Sequence, residues 1–284
     1  MLDLSVVVPV RNAEHFIWEC LSSIAREEPQ EIIVVDGLST DKTVEIARSL
    51  GARVLSDEGR GLPAARLIGT RAAKCAHVAL IDVDVVLPNN SLADLFEEFR
   101  IGGFTALQAG LHSVAGPGYW GKALALHHMT GRSKHWFGLV ATIFEREALL
   151  EHGFDDRFLS GEDIELRWRL ERAGAKCGVS KRVIVMHRFG DTFHFAKGQF
   201  LADGHGLGRM VVMKRGWRSL SLLALPAAAG LRGIALSLAR LRLKWIPYYL
   251  TFILFNYVAM FQEMGSALRR SSPSQDPSDR SLDS

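Results

Sequence analysis

His77-Val78-Ala79-Leu80-Ile81-Asp82-Val83-Asp84 is the stretch that decides the fold. Val78 to Ile81 is apolar without a break, the pattern of a strand buried on both faces. Asp82 and Asp84 then mark where the chain leaves the core. The same pattern stands upstream in Leu4 to Val10, closed by Pro9 and followed by Arg11-Asn12-Ala13-Glu14, and in Glu31 to Val35, ended by Asp36-Gly37. Ala52 to Leu55 is a further short strand. Helical spacing fills the gaps: His15 to Arg26, Asp41 to Leu50, Pro63 to Cys75 and Ser91 to Arg100. Ser39 or Thr40 is the expected cap of the second helix and Gly51 its stop. Strands alternating with helices predict an α/β fold, a mostly parallel sheet covered on both faces. Ligands bind such sheets at the carboxyl ends of the strands. The loops at Arg11 to Glu14, Asp36-Gly37 and Asp82 to Asp84 are therefore expected to converge on one edge.

Past Gly103 the pattern loosens. Thr105 to Leu111 reads as a strand, Gly116-Pro117-Gly118 as a turn, Glu162 to Ala173 as a helix and Val183 to Met186 as a late strand. Trp120, Trp136 and Phe137 suit stacking on a sugar or lipid, with core packing the commoner use of such residues.

The 284 residues are 48% hydrophobic and 23% charged with a net charge of +3, suiting one large α/β domain with an appendage. The charge is uneven. From His205 to Arg270 there are ten Lys/Arg and one acid, Glu263, so this block carries +9 and the rest of the chain −6. A basic block that is also apolar points to an anionic membrane surface rather than to nucleic acid. Within it, Trp245 to Gln262 is 18 residues without a charge, and Ser219 to Ala239 is nearly as apolar but holds Pro226 and Arg232. Three readings stand: a membrane hairpin, helices lying in the interface, and core or dimer helices in a homo-oligomer. Cations on every flank deprive the positive-inside rule of a preference and favour interfacial helices. The expected divisions are 1–204, 205–270 and a Ser/Pro/Asp-rich tail, 271–284. Cys20, Cys75 and Cys177 form neither a disulfide framework nor a zinc pattern, and Met1-Leu2-Asp3 lacks a signal peptide's basic start. The N-terminal domain is expected to be cytoplasmic, at the inner face of the cell membrane through the C-terminal block.

Two carboxylates at a strand end, Asp82 and Asp84, suit a hard cation such as Mn²⁺ or Mg²⁺, which takes oxygen ligands and bridges substrate phosphates. Val85-Val86-Leu87 supplies no further ligand, so a remote one is needed, and His187 after the late strand is the candidate. Arg188, His194 and Lys197 follow as cations that could hold a diphosphate. Ser160 and Asp163 have the spacing of a capping box, which spacing alone favours; the functional reading makes Asp163, at a helix start, a general base. No dinucleotide or P-loop glycine pattern is present.

These blocks together resemble the GT-A-fold glycosyltransferases of family 2 from Leu4 to Arg188. Val6-Val7-Val8-Pro9-Val10-Arg11-Asn12 resembles the opening strand and loop, and Ile33 to Thr43 the second strand and helix start. Gly61 to Gly69 stands ahead of Asp82-Val83-Asp84 as the family's basic segment does. Gly153-Phe154-Asp155 and Gly161 to Leu170 resemble the acceptor-side block. The resemblance implies a Rossmann-like GT-A domain moving a sugar, with inversion, from a UDP- or GDP-sugar to an acceptor hydroxyl, here lipid-linked or membrane-delivered. It implies that Pro9, Arg11 and Glu14 line the nucleotide pocket and that Asp36 meets the base or ribose. Arg66 would sit near the base or diphosphate, and Asp82 would meet the ribose or sugar. Asp84 and His187 would hold the metal, Asp163 would be the base, and Glu162 and Trp136 would face the acceptor. Leu67 stands where an Asn is common, and Val86 where some relatives have a polar group. A sugar-phosphate nucleotidyltransferase would want a Gly-rich basic loop after the first strand, which Arg11 to Glu14 is not. A non-catalytic nucleotide-sugar binding protein would tolerate loss of Asp163.

Overall fold

The computed structural model describes residues 2–130, 138–155, 157–158, 160–213 and 220–271. Trp136, expected on the acceptor side, lies outside the described residues, as do His135, Phe137 and the tail beyond 271. Contacts divide the chain into Met1–Ala196 and Lys197–Ser284, ahead of position 204, where the composition changes.

The first unit is built on one eight-stranded sheet. The strands are β1 (Leu2–Val10), β2 (Pro29–Asp36), β3 (Arg53–Ser56), β4 (His77–Ile81), β5 (Val85–Val86), β6 (Ala106–Ala115), β7 (Ala141–Glu145) and β8 (Cys177–Phe189), in the order β3-β2-β1-β4-β7-β6-β8-β5. The pairs joining β3, β2, β1 and β4 are parallel, as the alternating pattern requires. β7 then runs antiparallel to β4 and β6, while β8 returns parallel to β6. Sequence reading did not find β7, and it saw only the middle of β8. β8 also carries an irregularity between its pairings at Val179 and Ile184, where Ser180 Oγ accepts from the N–H groups of Arg182 and Val183. That interruption hides the strand's full length.

Alternation along β1 sends Leu4, Val6, Val8 and Val10 into one apolar layer and Val7 into the other. The first layer is closed by helices α1 (Ile17–Ala25), through Ile17, Leu21 and Ile24, and α4 (Ser91–Gly102), through Leu92, Leu95 and Phe99. The second is closed by α3 (Leu62–Ala72), α6 (Arg146–His152) and α7 (Glu162–Arg172), through Ala65, Leu149, Leu166 and Leu170. Helix α2 (Thr43–Ser49) ends at Gly51, whose φ of 78° is open to glycine. Its start differs from expectation. Asp41, not Ser39 or Thr40, accepts the Thr43 N–H at 3.0 Å, because both hydroxyl residues are engaged by the loop after β1. The turn at Gly116 and Gly118 leads into α5 (Tyr119–Thr130), and its glycines make room for Asp191. A Cβ at Gly121 would come 2.2 Å from Asp191 Oδ1. Trp120, half-buried, packs on Tyr119 and on exposed Phe193, at 5.2 and 4.8 Å between centroids.

In the second unit, the helix Ile246–Ser271 packs on Leu225–Ala239 and on residues 197–213 of α8 (Phe193–Met213). Phe200 sets its ring edge-on to Tyr248 and Phe252, at 5.3 and 5.4 Å. Gly204 and Gly208 let backbones touch, since a Cβ on either would lie 2.3 Å from Asn256 O or 2.7 Å from Met260 O. Buried Asn256 and Ser237 bond back to Phe252 O and Gly233 O within their own helices. Among the described residues, Ser221–Ala239 is the stretch long and apolar enough to cross a membrane, with mean hydropathy 1.7 and 22% buried.

Gly69, in α3, lies against β1 so closely that a Cβ would sit 2.2 Å from Val7 Cγ1. Alanine there gains about 1 kcal/mol of helix propensity but overpacks a rigid, fully buried valine, at a cost of about 1–3 kcal/mol. Gly69→Ala is therefore expected to be net destabilising in a urea titration; an unchanged or raised midpoint would show that the two layers can part there.

Candidate active site

Three strand ends meet on one edge of the sheet, as expected. β1 ends beside β2, with Val10 paired to Asp36, and β4 beside β1. β7 begins at the same edge, where its Ala141 pairs with Ile81. The loops after β1 and β2 are stitched together. Asn12 donates its N–H to Ser39 Oγ at 2.8 Å, and its Oδ1 accepts from Thr40 N at 2.9 Å. Ala13 N donates to Thr43 Oγ1 and Glu14 N to Asp41 Oδ2, while Glu14 Oε2 accepts from Lys42 N. Asn12 and Leu38 hold positive φ, 49° and 62°, and the cross-bonding of the two loops holds them there. Pro9 is buried beneath them and Arg11 is exposed above. Asp36 is 8% exposed and accepts the Ser39 N–H on both oxygens. Asp57, which sequence reading passed over, is 2% exposed and accepts from Gly59 N and Gly61 N, shaping the loop ahead of Arg66. Its Asp-x-Gly-x-Gly setting was the available signal.

Arg66 is 3% exposed and joins the two halves of the site. It donates Nη1–H to Glu162 Oε1 at 2.8 Å and Nη2–H to Asp82 Oδ1 at 3.0 Å. Burial works to lower its pKa, but Asp82 and Glu162 outweigh it and raise it, so the cation is kept. Asp163 follows Glu162 at the start of α7. The expected capping box does not form: the N-cap is Gly161 at φ 79°, without a side-chain cap bond, and the Asp163 carboxylate accepts local backbone N–H groups, that of Ile164 at 2.8 Å and its own. Burial first, then the charge of Glu162, pushes the Asp163 pKa up to about 6. Gly138 makes room for this carboxylate, as a Cβ there would lie 3.3 Å from Asp163 Oδ2, and Gln108, 1% exposed, fixes Gly138 N at 2.6 Å. Nothing in the sequence near Gln108 signals this part.

The candidate for the remote ligand, His187, lies beside Asp84. Val85 pairs with His187 where β5 meets β8, and Arg188 N donates to Asp84 O at 3.0 Å. His187 Nε2 thereby stands 3.2 Å from Asp84 Oδ2. Burial opposes a charged imidazole, but the Asp84 bond and the charges of Asp84 and Asp82 raise its pKa. Asp84 Oδ1 is buried with no hydrogen-bond partner. An orphaned carboxylate oxygen beside an imidazole fits a divalent cation. Among the described residues no three His, Cys, Asp or Glu side chains gather to hold a metal alone, so substrate oxygens or water would complete the shell. His128, on α5, is a further neighbour. Burial, then His127 and His187, lowers its pKa to about 3, so it stays neutral. Of the expected diphosphate cations, Arg188 stays beside the carboxylate pair, with its N–H and Nε both on Asp84 O. Arg188 lies within β8, over the Phe16 ring at 5.0 Å, and pairs with Glu19, clamping α1; His194 is exposed on α8, and Lys197 falls in the second unit over Phe255.

Arg66→Met would leave two carboxylates without their shared cation, an expected loss of about 3–5 kcal/mol in chemical denaturation. Arg66→Lys, a point charge able to serve one carboxylate, should recover part of it. Equal stability of all three proteins would remove Arg66 from this role.

Against known proteins, the model described as glycosyl transferase family 2 matches residues 5–148. Glycosyltransferase GlyG of Streptococcus pneumoniae serotype 4 is 33% identical over 105 residues, 34% of this chain and 35% of that protein. The 4,4'-diaponeurosporenoate glycosyltransferase of Staphylococcus aureus is 32% identical over 119 residues, 39% of this chain and 31% of that protein. The chain thus matches about a third of the length of these curated relatives. In fold it is similar to the mannosyltransferase PcManGT of Pyrobaculum calidifontis, solved with GDP-Man and Mn²⁺, with TM-score 0.63 at 17% identity over 95% of this chain and 88% of that one. With a strand-end carboxylate pair, a buried arginine strut and a family match covering half its length, this chain belongs to glycosyl transferase family 2.

Proposed function

We propose that the protein is an inverting, metal-dependent glycosyltransferase. It moves a sugar from a UDP- or GDP-sugar to an acceptor hydroxyl, lipid-linked or membrane-delivered, in cell-envelope or polysaccharide synthesis at the inner face of the membrane. The observation that carries this is the Arg66 bridge, which ties Asp82 on the donor side to Glu162, next to the half-buried Asp163 with its raised pKa. The loops at Pro9, Arg11, Glu14 and Asp36 form the nucleotide side. The fold likeness to a mannosyltransferase solved with GDP-Man and Mn²⁺ is in keeping with this reading. Asp84 and His187 would hold Mn²⁺ or Mg²⁺, which when bound neutralises charge on the leaving nucleoside diphosphate. Asp163 takes the proton from the acceptor hydroxyl. The freed oxygen bonds to the anomeric carbon as the carbon–oxygen bond to the diphosphate breaks on the opposite face, so configuration inverts. A base with a pKa near 6 is well matched to neutral pH.

Asp163→Asn should fold and bind donor while kcat falls about 10²- to 10⁴-fold. In the parent enzyme, kcat should rise with pH through about 6 and then level, and the Asn variant should lose that limb. Its stability should change too. Because the folded-state pKa of Asp163 is raised above 3.8, its contribution to stability is lost as pH rises through the window from 3.8 to about 6. The Asn variant should therefore gain in relative melting temperature above that window. Near-normal turnover by Asp163→Asn would sink the base assignment and favour a binding protein or another base.

A thermal-shift screen of nucleotide-sugars with and without Mn²⁺ should find a donor whose shift grows with the metal, and Asp84→Asn or His187→Ala should abolish the metal-dependent part. Silence with every nucleotide-sugar tried would contradict the donor site itself.

A further inference from the structure

The two last helices turn an apolar face outward. From Pro247 to Phe261, each exposed residue of the helix Ile246–Ser271 is apolar. Leu250, Leu254, Val258 and Phe261, at 55, 58, 38 and 59% exposure, form one stripe at helical spacing, while Tyr248, Phe252, Ala259 and Met260 are buried on the other side. On Leu225–Ala239, Leu231 and Leu238 are 61 and 51% exposed, and Arg232 is its one charged residue. Between the helices runs Arg240-Leu241-Arg242-Leu243-Lys244, with all five residues exposed. A continuous exposed apolar face of this kind needs a cover.

Charge selects the cover. His205 to Arg270 holds ten cations and one acid. That acid, Glu263, is engaged by His205 and Arg209, so a second copy would bring like charge to like. A surface that is apolar inside and anionic at its rim complements the face instead. The helices also suit lying flat better than spanning. Length does not decide this, since Ser221–Ala239 is long enough to cross; the placement of charge does. A spanning hairpin would set Arg232 deep in the bilayer and carry the three cations of the turn to the far side.

We infer that this face lies in the plane of an anionic bilayer, with Leu231, Leu238, Leu250, Leu254, Val258 and Phe261 at the acyl boundary and Arg240, Arg242 and Lys244 on head-group phosphates. This rests on the membrane association proposed above and specifies its mode. Arg232 reaches the head groups by extending its side chain along the surface.

The test is sedimentation of the full chain with vesicles of phosphatidylcholine, alone or mixed with phosphatidylglycerol. Binding to the mixed vesicles should be at least about tenfold greater and should be released by high salt. The double variant Leu250→Glu, Leu254→Glu, altered only at exposed positions, should keep its circular dichroism and lose binding. Attachment that ignores lipid charge and resists salt and alkaline carbonate would overturn the in-plane mode in favour of a spanning hairpin. A doubled mass in solution with no vesicle binding would overturn it in favour of a second copy. Sugar transfer to a soluble acceptor, assayed without vesicles, reads the catalytic proposal separately.

Discussion

The guanidinium of Arg66 is shared by two carboxylates, one from the end of β4 and one from the start of α7, 96 residues beyond Arg66 itself. A cation this deeply buried is tolerable only with both partners in place. The same requirement fixes the distance between Asp82 at the end of β4 and the start of α7. Asp163 inherits its position from that constraint. It stands next to Glu162, whose charge helps to raise its pKa and whose own position is set by Arg66. The strut is thus structural and electrostatic at once.

Around it, backbone pairing supplies what single side chains do not. Asp84 and His187 are 103 residues apart, yet the two-residue strand β5 brings them to 3.2 Å by pairing with β8. Reciprocal bonds between the loops after β1 and β2 hold Asn12 and Leu38 in left-handed conformations. The central strands β1, β2 and β4, buried on both faces over most of their length, supply the rigidity that sustains them.

Most of the N-terminal architecture was legible because apolar runs without alternation and helices at regular spacing obey local rules. β4 is legible to the residue, β3 within one, and β1 and β2 within two. Helix caps were read less well. Ser39, Thr40 and Ser160 had the right chemistry, but Asn12 occupies the first two and Gly161 displaces the third. β7 escaped notice because Ala141 to Glu145 is short and carries no turn signal of its own.

By itself, the sequence determined the α/β alternation, the strand-end carboxylates and the block order that marks the family, since each depends on neighbours along the chain. Only the tertiary structure decided that Arg66 bridges Asp82 and Glu162, that His187 reaches Asp84, that Arg188 pairs with Glu19 beside Asp84 and that Asp163 is a half-buried acid of raised pKa rather than a cap. Those facts depend on desolvation and on distances across the sheet. Neither is a property of any local stretch of residues.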